Sequence, residues 1–219
     1  MAAVISMASA KGGVGKTSLT LGLATELALQ GVRVAILDAD LNQHSSSFGA
    51  KANIDGFEVI GEITEANVLA RIKAAQSFDL VIVDLPGGSS LLALKAMQRS
   101  HLVVIPAQMS LFDARDAMRT VAQVDDAGEP LERVIPRAVL WSRVPAGFES
   151  LAARKVREFI EEQGVPIFRS RMMQRAAMLE MVLTGRAVSQ IDPGSKGAQD
   201  LLAIATEVMD RLQALAIAA

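Results

Sequence analysis

Lys11-Gly12-Gly13-Val14-Gly15-Lys16-Thr17-Ser18 follows a short apolar run, Ala3–Ser9, and opens an apolar-rich stretch, Lys16–Gln30. A strand, then a glycine-rich loop, then a helix is the setting in which backbone N–H groups converge on phosphate oxygens, with the positive end of a helix dipole behind them. Gly12, Gly13 and Gly15 allow that convergence. Val14 completes the loop. In such a loop Lys16 pairs with the β- and γ-phosphates of a nucleoside triphosphate. Thr17 turns its hydroxyl to Mg²⁺, and Ser18 bonds the α-phosphate.

Outward from this loop the chain alternates β-branched runs with helix-like stretches. Further strand candidates are Val32–Asp38, Leu80–Leu85, Leu102–Pro106 and Val134–Trp141, with Ile167–Phe168 as a short sixth. The runs are apolar throughout, as parallel strands covered on both faces require. Lys16–Gln30 stops at Gly31, a C-terminal cap residue. Ser110–Asp126 and Gly197–Ala216 are further helices. Phe148–Gln163 is another, with Phe148, Leu151, Ala152, Val156, Phe159 and Ile160 on one face. It ends at Gly164, before Pro166. The alternation predicts an α/β fold: a mostly parallel twisted sheet with helices on both faces and right-handed crossovers. No repeat or linker interrupts residues 1–219, so a single domain is expected.

The 219 residues are 51% hydrophobic, enough for a packed core, and include no cysteine. That excludes disulfides, thiolate metal sites and a cysteine nucleophile, and fits a reducing cytoplasm. The apolar runs are strand-length, and no basic leader precedes Ala3, so neither a membrane span nor a signal peptide is expected. Net charge is −2, unevenly spread: Arg133–Gly197 carries 11 Lys/Arg against 6 Asp/Glu. A basic surface on an acidic chain follows. His44 and His101 lack ligand-spaced partners and are expected to be structural. Met172, Met173, Met178 and Met181 are expected to fill gaps in the core or at an interface.

Two other strand candidates end in carboxylates: Val34-Ala35-Ile36-Leu37-Asp38-Ala39-Asp40 and Val81-Ile82-Val83-Asp84-Leu85-Pro86-Gly87-Gly88. Strand C-terminal ends are where open α/β sheets bind ligands. With Lys11 ahead of Gly12, the octet resembles the deviant Walker A loop of the ParA/MinD superfamily of ATPases. The resemblance implies ATP and Mg²⁺ as cofactors and an ATP-dependent homodimer in which Lys11 reaches the partner's phosphates. It implies that Asp40 orients the attacking water. Asp84 resembles a Walker B aspartate, holding Mg²⁺ through water, and Asp38 supports it. Trp141-Ser142-Arg143 ends a strand where related proteins contact adenine, which makes Arg143 a cofactor-binding candidate. Two departures stand out. The family continues D-x-D with Pro-Gln where this chain has Leu41-Asn42-Gln43, and it follows Walker B with two prolines where this chain has Pro86-Gly87. Both switch loops are therefore expected to be looser than the family norm. Either Asn42 or Gln43 could do the work of the family's glutamine.

The C-terminal third narrows the resemblance. Arg169-Ser170-Arg171-Met172-Met173-Gln174-Arg175 and Ile191-Asp192-Pro193-Gly194-Ser195-Lys196-Gly197-Ala198 are similar to ParA stretches, in which the positions of Arg175 and Lys196 bind DNA backbone non-specifically. The missing cysteine removes the superfamily's cluster carriers and arsenite pumps. The missing tyrosine removes its autophosphorylating kinases, and Lys11 removes its biosynthetic ligases. The alternative is a MinD-like membrane-associated positioning ATPase, but Asp210–Ala219 is alanine-rich with one arginine, poor material for a membrane helix. The expectation is a small ParA-type partition or positioning ATPase without an N-terminal helix-turn-helix domain. It is expected to be cytoplasmic and nucleoid-associated, to bind non-specific DNA and no membrane, and to be stimulated by a cargo-bound, ParB-like adaptor. The cargo, whether plasmid, chromosome region or protein assembly, stays open.

Overall fold

Val81-Ile82-Val83 and its counterparts carry apolar side chains at successive positions, so strands built from them need cover on both faces. In the computed structural model, which describes residues 1–218, they have it. Strands β1 (Ala3–Met7), β2 (Val34–Asp38), β3 (Phe57–Ile60), β4 (Leu80–Asp84), β5 (Leu102–Ala107) and β6 (Arg137–Trp141) form a sheet in the order β3-β2-β4-β1-β5-β6. Every pairing is parallel.

The helices are α1 (Lys16–Leu29), α2 (His44–Gly49), α3 (Val68–Ala74), α4 (Leu91–Met97), α5 (Leu111–Gly128), α6 (Leu151–Glu162), α7 (Ala176–Thr184), α8 (Val188–Ile191) and α9 (Lys196–Ala218). One face of the sheet packs on α3, α4, α5 and α6, through residues such as Val81, Val83, Ile72, Val121 and Ile160. The other packs on α1, α7, α8 and α9, through Ile5, Ile82, Leu23, Leu201 and Val208. Alternate strand residues feed opposite cores.

The sheet differs from expectation at its edges. Ile167–Phe168 is not a strand. It makes a single parallel bridge from Ile167 to Val139. The sixth strand is Phe57–Ile60, at the far edge beside β2. Glu58 is exposed and its neighbours are half-buried, so the segment lacks the continuous apolar run that marks the inner strands. The helix face expected around Phe148 also shrinks. Phe148 lies outside α6 and is fully exposed, Leu151 and Ala152 are exposed, and Val156 and Ile160 are the buried positions.

Candidate functional site

Parallel pairing fixes what meets at the strand ends. Asp38 on β2 is in register with Asp84 on β4, which is in register with Met7 on β1. The loop leaving β1 therefore passes directly beside both carboxylates. Gly13 and Gly15 take left-handed backbone angles, φ 82° and 92°, and Gly15 caps α1. Those angles are cheap only for glycine. The loop is stapled to β6, where the Ser142 hydroxyl donates to the Val14 carbonyl at 2.6 Å.

A cavity of about 460 Å³ opens over this loop. Gly12, Gly13, Gly15, Lys16, Thr17 and Ser18 line one side, and Asp40, Asn42, Gly87 and Arg143 line others. Lys16 is 7% exposed. Burial pulls its pKa below the usual lysine value, opposed by the carboxylates of Asp84 and Asp40. Asp84 is fully buried. Burial pushes its pKa up to about 6, against hydrogen bonds from Ser45 and Thr17 and the charge of Lys16, while Asp38 adds to the rise. The Ser45 hydroxyl donates to Asp84 Oδ2 at 2.8 Å.

Asp38 is committed to holding the chain. Its Oδ2 accepts from the Ser46 backbone N–H and hydroxyl at 2.7 and 2.8 Å, and its Oδ1 from the Asp40 N–H at 3.2 Å. Asp40 lines the cavity. Its Oδ1 accepts from both the backbone and side-chain N–H groups of Asn42, each at 2.9 Å. Gln43 works differently: its amide donates to the Asp40 carbonyl and accepts from the Glu62 N–H. Asn42 thus contacts the carboxylate while Gln43 ties down the loop.

The donor set fits a hydrated divalent cation. Among the described residues no group of three or more His, Cys, Asp or Glu side chains could cage a metal. One buried carboxylate beside the Thr17 hydroxyl is instead the arrangement in which Mg²⁺ keeps its waters and shares phosphate oxygens.

Lys11 lies outside the cavity. Its Nζ pairs with Asp113 at 2.7 Å and Asp116 at 3.6 Å, both on α5. The Asp113 hydrogen bond is the largest influence raising its pKa. Exposed apolar side chains stand on the loops and helix starts that follow the C-terminal ends of β2, β4 and β5: Leu41, Leu91, Leu111 and Phe112.

The absent second proline has a structural counterpart. A Cβ at Gly87 would stand 2.9 Å from the Gly12 nitrogen and 3.0 Å from the Lys11 carbonyl carbon. The loop after β4 therefore rests against the phosphate-loop backbone instead of standing off it. It is further tied by the Gly88 N–H to the Ser9 carbonyl at 3.0 Å. Gly87→Ala is expected to destabilise the nucleotide-free chain by about 1–3 kcal/mol through this overpacking. A denaturant midpoint equal to wild type would show that the contact gives way freely.

The two candidate DNA contacts sit together at the starts of α7 and α9. Arg175 caps α7, and its guanidinium pairs with Asp200 at 2.6 Å. Lys196 is exposed in the first turn of α9. Arg169 and Arg171, which sequence reasoning did not single out, are exposed nearby in the chain. Lys51 and His44 also line the cavity. Ligand spacing, the basis on which His44 is expected to be structural, carries no signal for a lone cavity-lining side chain.

A sequence profile of the VirC1 protein family matches residues 2–214. The chain is 31% identical to protein VirC1 of Rhizobium radiobacter over 185 residues, 81% of this chain and 79% of that protein. It is 29% identical to protein ParA of the same organism over 176 residues, 80% of this chain and 79% of that one. Among solved structures, the ATP complex of an McdA variant from Cyanothece matches with a TM-score of 0.73. The match covers 94% of this chain and 96% of that one, at 17% identity, and is therefore a likeness of fold.

Proposed function

The chain belongs to the VirC1 protein family, within the ParA/MinD superfamily of partition and positioning ATPases, and from that premise we propose that it is an ATP-switched dimer that binds DNA without sequence preference. Lys16 and the N–H groups of residues 12–18 bind the phosphates, and Arg143 faces the base. Thr17 and Asp84 would hold Mg²⁺, which would supply neutralisation of the phosphate charge. Asp38 orients the residues around that ion. Asp40, oriented by Asn42, aligns the attacking water. Hydrolysis of this kind needs in-line positioning and charge compensation more than covalent help.

The observation that carries this reading is the division of labour between two lysines. Lys16 is buried in the cavity wall, whereas Lys11 stands outside the cavity on two carboxylates. A lysine in the loop that does not face its own cavity suits the phosphates of a second copy. The exposed apolar residues that follow the same ends of the strands suit a face that closes on that copy. Hydrolysis, stimulated by a cargo-bound adaptor, then reopens the dimer.

DNA contact falls to the exposed cations of the C-terminal third. A lysine in a helix's first turn opposes the helix dipole, so Lys196 adds nothing to α9 and its place there fits a surface role. Arg175 contributes less freely because Asp200 already matches its charge. The test is a shift assay on random-sequence duplex beside liposome co-sedimentation, each with ADP, ATP and a slowly hydrolysed analogue. The ATP form should bind duplex, with log affinity falling by about 0.9 per phosphate neutralised per decade of salt. Lys196→Glu should weaken binding at least severalfold with nucleotide affinity unchanged, as should Arg175→Glu if its melting temperature holds. Liposome binding with no duplex shift in any nucleotide state would move the chain to the MinD-like class. Among the described residues no helix is long and apolar enough to cross a membrane.

A further inference from the structure

A second cavity, of about 540 Å³, lies at the opposite ends of the strands, where β1 and β5 begin. Its walls come from β1, α3, the end of α4 and the segments entering β5 and β6. Ile72, on α3, is buried, and Leu69 adds a half-exposed apolar surface beside it. Lys73, Arg99, His101 and Arg133 supply nitrogen donors, and no carboxylate side chain is among the lining residues. Lys73 and Arg99 enter no ion pair among the described residues.

Cations at helix C-termini are common, because they complement the helix dipole, and Lys73 and Arg99 stand at such ends. His101 and Arg133 do not. Arg133 comes from the segment before β6, and its guanidinium is fixed by donation to the Ser100 carbonyl at 2.6 Å. His101 Nδ1 accepts the Val4 N–H at 2.9 Å, so the neutral ring carries its proton on Nε2 as a donor. Burial and the neighbouring Arg133 favour that neutral form. Donors thus converge from four parts of the chain on one concave space.

We propose that this cavity binds a small polyanion of the phosphorylated-metabolite class, its charged groups on Lys73, Arg99, His101 and Arg133 and its apolar part against Leu69 and Ile72. The volume lies within the range of small-molecule sites, roughly 300–1,000 Å³. Arginine and lysine without competing carboxylates are the chemistry that recognises phosphate. The site is separate from the phosphate loop and does not depend on the reading given to that loop.

The test is calorimetric titration of the full chain with tripolyphosphate, a sugar bisphosphate and citrate, without added Mg²⁺. The same titrations are run on Lys16→Ala and on the double variant Lys73→Glu/Arg99→Glu. Both reversed positions are exposed, so the fold should survive. Lys73→Gln/Arg99→Gln serves as a milder second variant. At least one probe should bind wild type and Lys16→Ala alike and lose about tenfold or more in affinity on charge reversal. The glutamine pair should fall between. Absence of saturable binding to wild type, equal affinity in the charge-reversed chain, or loss of binding in Lys16→Ala would overturn the proposal. A short random-sequence duplex makes the last arm. If it binds through these residues while all three small anions fail, the ligand is a nucleic-acid backbone and the small-molecule assignment falls.

Discussion

Lys16→Ala should lose ATP binding by at least about 30-fold, the lower end of the 2–5 kcal/mol typical for truncating one partner of a buried charge pair. Lys16 is the only cationic side chain among the phosphate-loop residues that line the cavity. It also faces Asp84 and Asp40, whose charges support its own. Removing it deletes the point charge opposite the phosphates and leaves those carboxylates facing an anion. Both changes weaken binding. Folding is the competing explanation for a negative result, because Lys16 is buried at the start of α1. Lys16→Met keeps the volume and should lose ATP equally while melting near wild type. Equilibrium titration with a fluorescent ATP analogue reads the loss. Affinity within about threefold of wild type in a folded variant, under ~1 kcal/mol, would refute the phosphate-loop assignment.

The sequence made the phosphate loop and inner strands legible because they are overdetermined. The octet needs its glycines where φ turns positive, at Gly13 and Gly15. Strands covered on both faces read as unbroken apolar runs. Edge strand β3 did not show itself, since Phe-Glu-Val-Ile is four residues long and half-exposed. Helices α2, α3, α4 and α8 are seven residues or fewer, too short for a helical period to declare itself. At the site, the residue types were readable but not their engagements. Nothing in Asp38-Ala39-Asp40 says that the first carboxylate is spent on Ser46 while the second lines the cavity. Nor does Pro86-Gly87 announce a closer approach to the phosphate loop. The expected looseness there rested on a missing proline, whereas the structure uses the missing side chain to bring two backbones into contact. Arg175 is a similar case. Its charge is visible in the sequence, but its pairing with Asp200 depends on how α7 meets α9.

Lys11→Ala should leave ATP binding to the single chain nearly unchanged and abolish ATP-dependent dimerisation. The geometry separates it from Lys16. Lys11 is absent from the cavity lining, and its ammonium sits on Asp113 and Asp116 instead. Asp113 is buried in the first turn of α5, which Ser110 caps: the Ser110 oxygen accepts the Asp113 N–H, and its hydroxyl donates to the Asp113 carboxylate. Ser110 holds the Oδ2 of that carboxylate, and Lys11 is the ion-pair partner of its Oδ1. A dimer that draws Lys11 onto a partner's phosphates must take it from this resting place, and the γ-phosphate is the group whose charge can compete. ADP offers one phosphate fewer, so with ADP the resting pair should hold and the chains should stay apart. Asp113→Asn removes most of the competition and should favour the dimer at lower ATP, the opposite direction from Lys11→Ala. Analytical ultracentrifugation with ATP, ADP and no nucleotide separates the outcomes. Wild type should sediment as a dimer only with ATP, Lys11→Ala as a monomer throughout, and Asp113→Asn as a dimer at reduced ATP. A Lys11→Ala chain that still dimerises with ATP would sink the trans-acting lysine. Loss of ATP binding by that variant would instead return Lys11 to its own chain's phosphates.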